Sequence, residues 1–144
     1  MNAGRVVVDS SIVIKWFTAE PFAEQARQIL DGYQDDALAL LVPDLLFAEV
    51  GNVLWKKQRL QGLTTTDAEL IIRSILLLGF DVTPCASLLP EAYRIAVAHG
   101  RSVYDSIYLA LSLREQCPFV TADERLANAV HSSFPGVTWI ASWR

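Results

Sequence analysis

Short aliphatic runs alternate with longer helical segments along the whole sequence, and this alternation limits the possible fold more than any other feature. The aliphatic and β-branched runs predict strands at 6–8, 38–42, 80–83, 118–121 and 138–140. The segments between them predict helices at about 22–33, 44–61, 66–78, 88–99, 103–116 and 124–134. Strands joined by helical crossovers pair in parallel, with helices on both faces of the sheet. The sequence therefore predicts one domain over residues 1–144, a three-layer α/β/α structure with a central, mainly parallel five-stranded sheet.

Several of these helix ends carry residues that favour capping. Asp44 follows a proline and is a good N-cap, and Thr64 precedes an acidic first turn. Ser102 and Asp105 have the spacing of a capping box, and Gly100 is suited to ending the helix before them.

Some classes of protein are excluded by the sequence. No stretch approaches the roughly 18 to 20 apolar residues of a transmembrane helix. Asp9 and Lys15 interrupt the N-terminal apolar run that a signal peptide would need, so we expect a cytoplasmic protein without membrane contact. Cys85 and Cys117 are isolated, so we expect buried thiols rather than zinc ligands or a disulfide.

The net charge of −4, from 12 basic and 16 acidic residues, argues weakly against a nucleic-acid partner. Four carboxylates nevertheless occupy unusual positions, and without them the two counts are 12 and 12. The excess acidity can therefore belong to one site, formed by Asp9, Glu49, Asp105 and Asp123.

Each of these carboxylates also has a structural explanation. Asp9 and Asp123 closely follow predicted strands, where an aspartate also serves as a turn residue or helix cap. Asp105 lies in the first turn of an apolar helix, as part of the capping box. Glu49 and Asn52 share one face of a helix that is apolar nearly all round, so we expect that helix to be largely buried. A buried carboxylate needs a cation, a proton or a donor, which Asn52 or a distant arginine could supply.

Considered together, the four positions predict a site. Residues at strand ends and in first helical turns can meet at the C-terminal edge of a parallel sheet, where ligands bind in such folds. Four neighbouring carboxylates repel one another unless a cation is present. Ligation by oxygen atoms alone suits Mg²⁺ or Mn²⁺.

Four segments that contain these carboxylates also resemble one family. In chain order they are VVVDSSIVIKWF, PDLLFAEVGNVLWK, SVYDSIYLALS and FVTADERL, and they span almost the whole chain. Their order and spacing are similar to those of PIN-domain nucleases, and more narrowly to the VapC toxins of bacterial and archaeal toxin–antitoxin pairs. The resemblance implies a single PIN domain over residues 1–144 that hydrolyses single-stranded regions of RNA and leaves 5′-phosphate and 3′-hydroxyl ends.

The resemblance also implies the site and its partners. The family's acidic quartet, which holds one or two Mg²⁺ or Mn²⁺ ions, is matched by Asp9, Glu49, Asp105 and Asp123. Ser11 in DxS, Asn52 in ExxN and Thr121 in TxD match positions that support the quartet by hydrogen bonding. The implied partners are an RNA substrate, a second copy of the chain and a VapB-type antitoxin that often inserts a basic side chain into the acidic pocket. Trp55 and the helix at 70–78 offer apolar surface for the dimer.

Contact with RNA has weaker support from the sequence. Lys56, Lys57 and Arg59 cluster at the end of the second predicted helix, and Lys15 and Arg101 lie near two of the motifs. These side chains could contact phosphates, although basic residues at helix ends are more often solvated.

Three alternative functions share some of these features. A phosphoacceptor receiver domain would need an aspartate ending the third strand and a lysine ending the fifth, and the sequence has neither. A PIN-fold module that binds RNA or protein without catalysis has no need of four mutually repelling carboxylates. A nucleotidase or DNA nuclease remains open, because carboxylates and Mg²⁺ do not distinguish ribose from deoxyribose.

Overall fold

The computed structural model describes residues 4–143, and within them five strands form one parallel sheet in the order β3-β2-β1-β4-β5. The strands are β1 (Gly4–Val8), β2 (Leu38–Pro43), β3 (Asp81–Thr83), β4 (Phe119–Thr121) and β5 (Val137–Trp139). The helices are α1 (Ser10–Val13), α2 (Ala23–Gln34), α3 (Leu45–Gln61), α4 (Thr65–Leu77), α5 (Cys85–His99), α6 (Val103–Glu115) and α7 (Glu124–Val130). Two 3₁₀ turns cover Ile14–Trp16 and Ile140–Ser142.

The central strand shows why the sheet has three layers. Val6, Val7 and Val8 of β1 are all fully buried, because both faces of the strand are covered. Val6 and Val8 pack with the core that includes residues of α1 to α4, whereas Val7 packs with residues of α5, α6 and α7. Successive side chains of a strand point to opposite faces, so helices cover both faces of the sheet. The predicted α/β/α architecture is confirmed.

Most predicted helix ends are present. The hydroxyl of Thr64 accepts from the amide of Asp67 at 3.1 Å, and that of Ser102 accepts from the amide of Asp105 at 3.0 Å. Gly100 has a φ of +64°, in the left-handed region that glycine adopts readily, and it ends α5.

The role predicted for Asp44 as a cap is wrong in one respect. Asp44 precedes α3, but its side chain makes no capping hydrogen bond to that helix. Its Oδ1 accepts instead from the amide of Cys85 at 2.9 Å, at the start of α5. This contact joins the residue before α3 to the first residue of α5. Helix α5 begins at residue 85, three residues before the predicted start.

Three further expectations differ from the structure. The segment Ser10–Val13 is helical, although no helix was predicted there. In α3 only Leu46, Val50, Leu54 and Lys57 are buried, so the helix is not largely buried as expected. Both cysteines are free, but they are half-buried rather than buried. Within the described part of the chain, no helix combines the length and hydropathy needed to cross a bilayer.

The strand order determines where a ligand can bind. Reading outward from β1, the chain goes to β2 and β3 on one side and to β4 and β5 on the other. Such a reversal opens a crevice beyond the C-terminal ends of the two strands at the switch point. In this fold those strands are β1 and β4, which end at Val8 and Thr121.

Candidate active site

Asp9 directly follows β1, at the switch point of the sheet. Three donors hold its carboxylate: Ser11 Oγ donates to Oδ1, the amide of Ile12 donates to Oδ1 at 3.3 Å, and Thr121 Oγ1 donates to Oδ2 at 2.6 Å. Burial raises the pKa of Asp9 above its ordinary value, and the hydrogen bonds from these donors oppose that shift. Asp9 therefore caps α1 and also presents a constrained, desolvated carboxyl group at the crevice.

Thr121 and Ser11 connect the ends of β1 and β4. Thr121 is fully buried, and its hydroxyl oxygen also accepts from the amide of Asp123 at 3.1 Å. The Ser11 hydroxyl accepts from the amide of Ala122 at 3.0 Å. Each hydroxyl donates to Asp9 and accepts from a backbone amide of the loop after β4. Removing either hydroxyl therefore leaves both the carboxylate and that amide without this hydrogen-bond partner.

The backbone amide of Asp123 belongs to this network, because it donates to Thr121. Its side chain is exposed, and Oδ1 accepts from the amide of Leu126 at 3.0 Å as the N-cap of α7.

Glu49 reaches the site from α3 and is half-buried. Its Oε1 accepts from the hydroxyl of Tyr108 at 2.5 Å. Burial raises the pKa of Glu49, the charges of Asp9 and Asp105 raise it further, and the Tyr108 hydroxyl opposes the shift. The carboxylate of Glu49 therefore lies within the electrostatic field of both Asp9 and Asp105.

Asn52 has no comparable contact. It is exposed, and the hydrogen bonds found within residues 4–143 include none between Asn52 and Glu49. The partner of Glu49 is Tyr108, 59 positions away.

Asp105 lies in the first turn of α6 and is half-buried. Its Oδ2 is 3.4 Å from Nη2 of Arg101, and the two side chains are 34% and 26% exposed. A long, partly solvated ion pair contributes little stability, so Asp105 is available for another cation.

The donor set can be compared with what a metal ion requires. Among residues 4–143, no three acidic, histidine or cysteine side chains are close enough together to hold one ion. Mg²⁺ usually keeps several waters and takes one or two carboxylates, so it does not need three direct protein ligands. One or two of the oxygen-only donors Asp9, Glu49 and Asp105 can serve such an ion, which would also relieve the repulsion that Asp9 and Asp105 exert on Glu49.

Lys15 lies near Asp9, and Lys57 lies near Lys15. Lys15 and Lys57 are each only 8% exposed, and Lys57 Nζ is 3.3 Å from Glu20 Oε2. Burial lowers the pKa of Lys15, while the charges of Glu20 and Asp9 oppose that shift. A positive charge therefore lies within the field of Asp9. By contrast, Arg59 is exposed and stacks on Trp55 at 4.8 Å.

Tyr108 is the residue that the sequence reasoning missed. The signal was present, because Tyr108 follows Asp105 by three positions in a helix that is apolar enough to be buried. A tyrosine hydroxyl in such a helix must find a partner.

Comparison with known proteins gives consistent matches. The PIN domain family model matches residues 6–131. Ribonuclease VapC3 of Pyrobaculum aerophilum is 30% identical over 125 residues, which cover 85% of this chain and 92% of that protein. The crystal structure of PAE2754 from the same organism superposes with a TM-score of 0.70 and 25% identity, covering 99% of this chain and 89% of that one. A toxin–antitoxin complex from Klebsiella pneumoniae contains a chain of the same fold, with a TM-score of 0.65, 16% identity, and coverage of 94% and 97%.

Proposed function

This chain belongs to the PIN-domain family, and we propose that it is a metal-dependent endoribonuclease that acts as the toxin of a toxin–antitoxin pair. The observation that carries the proposal is the position of Asp9. It follows the central strand at the switch point and is held by Ser11 and Thr121, and its charge acts together with that of Asp105 on Glu49. The ribonuclease name of a 30% identical relative supports RNA as the substrate class.

The proposed cofactor is Mg²⁺ or Mn²⁺. We propose that one or two of the carboxylates of Asp9, Glu49 and Asp105 bind it directly and that the others bind its water ligands, with Asp123 at the edge of the site. When bound, such an ion supplies Lewis acidity, which lowers the pKa of water and neutralises charge that develops on a phosphodiester. The oxygen-only chemistry of the donors supports this choice of metal.

The chain's own residues have separate tasks in this proposal. Ser11 and Thr121 orient the carboxylate of Asp9 before substrate arrives, which removes the need to order it during the reaction. Lys15 supplies a positive charge near Asp9 that can attract a phosphate of the RNA strand. Asp123 anchors the start of α7 and can accept a hydrogen bond from water at the crevice.

The test uses single-stranded RNA and DNA oligomers of the same sequence, with Mn²⁺ or with EDTA. We expect Mn²⁺-dependent cleavage of the RNA that EDTA abolishes. Asp9→Asn should reduce cleavage by orders of magnitude with the fold intact. Asp81→Asn is the matched control, because Asp81 is exposed at the start of β3, at the other edge of the sheet.

Three outcomes would contradict the proposal. Near-full cleavage by Asp9→Asn would remove Asp9 from the chemistry. RNA binding without cleavage by the wild type would instead favour the non-catalytic module, and preferential cleavage of DNA would favour a DNA nuclease.

The proposed partners are an antitoxin of the VapB type and a second copy of the chain. The fold shared with a chain of the Klebsiella pneumoniae toxin–antitoxin complex supports the first. Exposed apolar side chains support the second, among them Trp55 on α3 and Leu70, Ile72, Leu76 and Leu77 on α4. Expression of this chain alone should arrest growth of the host, and co-expression of the gene beside it should restore growth. Normal growth with the active protein would argue against a toxin.

A further inference from the structure

We propose that Tyr108 is a positioning residue for the metal site: its hydroxyl holds the carboxylate of Glu49 in the orientation that binds Mg²⁺ or Mn²⁺. This inference rests on the proposed function, because it assumes that Glu49 is a metal ligand. Nothing in the family resemblance assigns a role to this tyrosine.

The first argument is the way in which the Tyr108 ring is fixed. Tyr108 is 3% exposed, and its ring stacks on Phe119 with centroids 5.4 Å apart and planes 10° apart. Phe119 is fully buried in β4, the strand that also carries Thr121. The hydroxyl therefore extends from a ring that the sheet holds in place.

The second argument is the direction of the hydrogen bond. The Tyr108 hydroxyl donates to Glu49 Oε1 at 2.5 Å, because an ionised carboxylate can only accept a hydrogen bond. A carboxylate that accepts from a fixed donor on one oxygen has its plane restricted, and its other oxygen remains for a cation.

The third argument is the shared helix face. Asp105 and Tyr108 are three residues apart on α6, so they share one face of that helix. The same face therefore carries the carboxylate of Asp105 and the hydroxyl that holds the carboxylate of Glu49. A core tyrosine with no further role would be satisfied equally well by a backbone carbonyl. Here the partner is one of the four predicted site residues, on a different helix.

The experiment measures the Kd of Mn²⁺ by titration without RNA, so that the readout is independent of cleavage. Tyr108→Phe keeps the ring and its stacking and removes only the hydroxyl. Loss of a hydrogen-bond partner of a metal ligand typically weakens metal binding by about 10- to 100-fold, and we expect a rise in Kd of that size. Tyr33→Phe is the matched control. Its hydroxyl accepts from the amide of Gly79 at 2.7 Å, between the end of α2 and the segment before β3, away from the crevice.

An unchanged Mn²⁺ Kd in folded Tyr108→Phe would overturn the proposal, as would an equal rise in Tyr33→Phe. If Tyr108→Phe does not fold, the Mn²⁺ Kd is measured for Glu49→Gln instead. An unchanged Kd in Glu49→Gln would overturn the proposal, and a rise of similar size would support it. A wild type that binds Mn²⁺ and cleaves no RNA would overturn the nuclease assignment alone, whereas a wild type that binds no Mn²⁺ would overturn both.

Discussion

Replacing Thr121 with valine tests the hydrogen-bond network at the switch point. The change is nearly isosteric and suits a strand position, so the main loss is the hydroxyl. That hydroxyl donates to Asp9 Oδ2 at 2.6 Å and accepts from the amide of Asp123 at 3.1 Å. In Thr121→Val both groups lose their partner at a position that is fully buried.

The expected size follows from these two bonds. A hydrogen bond to a charged group contributes about 1.5–3 kcal/mol and a neutral one about 1 kcal/mol, so the variant should lose about 3 kcal/mol. The entropy of unfolding is about 2.1 cal/mol/K per residue, or roughly 300 cal/mol/K for 144 residues. The melting temperature of the metal-free protein should therefore fall by about 10 °C at pH 7.

The pH dependence gives a second, independent check. Thr121 donates to the ionised form of Asp9 and so opposes the rise in the pKa of Asp9 that burial causes. The bond therefore stabilises the fold while Asp9 is ionised, and its contribution is lost as the pH falls through the folded-state pKa of Asp9. The difference in melting temperature between wild type and Thr121→Val should shrink as the pH is lowered from 7 to about 4.

The assay is thermal unfolding followed by circular dichroism in EDTA, with Thr83→Val as the control. Thr83 is also the last residue of a parallel strand, and within residues 4–143 its side chain makes no hydrogen bond. That control should stay within about 0.5 kcal/mol of the wild type. Equal effects of the two substitutions, or a Thr121→Val difference that is constant with pH, would refute the reasoning.

Three further predictions concern the acidic site and the surface. Burial and the charges of Asp9 and Asp105 raise the folded-state pKa of Glu49. Glu49 therefore contributes favourably to the stability of the fold below its unfolded-state pKa, and this contribution is lost as the pH rises through its folded-state pKa. Glu49→Gln should therefore melt higher than the wild type in EDTA at pH 7 but not at pH 4, and a lower melting temperature at pH 7 would contradict this. Millimolar Mn²⁺ should raise the melting temperature of the wild type more than that of Asp105→Asn, whereas equal shifts would show that Asp105 binds no metal. Light scattering at micromolar concentration should give a dimer for the wild type and a monomer for Leu76→Glu, since Leu76 is 63% exposed on α4; a monomeric wild type would exclude this interface.

The strands and most helices could be predicted because their causes are local. The Val6–Val8 run and the capping residues Thr64 and Ser102 act through neighbours in the chain, and the structure contains the strand and both caps. The start of α5 could not be predicted, because it is capped by Asp44 from a segment 41 positions earlier.

The same division applies to the candidate site. The hydrogen bond from Ser11 to Asp9 lies within the three-residue DxS motif, where the family resemblance implies it. The pairing of Glu49 with Tyr108 depends on how α3 and α6 pack, which one sequence does not reveal. The assignment of all four carboxylates to a metal site stays a prediction that the substitutions above test.

The position of β1 in the sheet has a consequence for the order of events during synthesis. β1 leaves the ribosome first and can pair with β2 early, but its other edge is completed only by β4. Asp9 and Thr121 are 112 positions apart, so the network that orients Asp9 cannot close until β4 has been synthesised. Until then one edge of β1 is open to pairing with other chains. In the growing chain the carboxylate of Asp9 therefore lacks Thr121 as its orienting partner until β4 has been made.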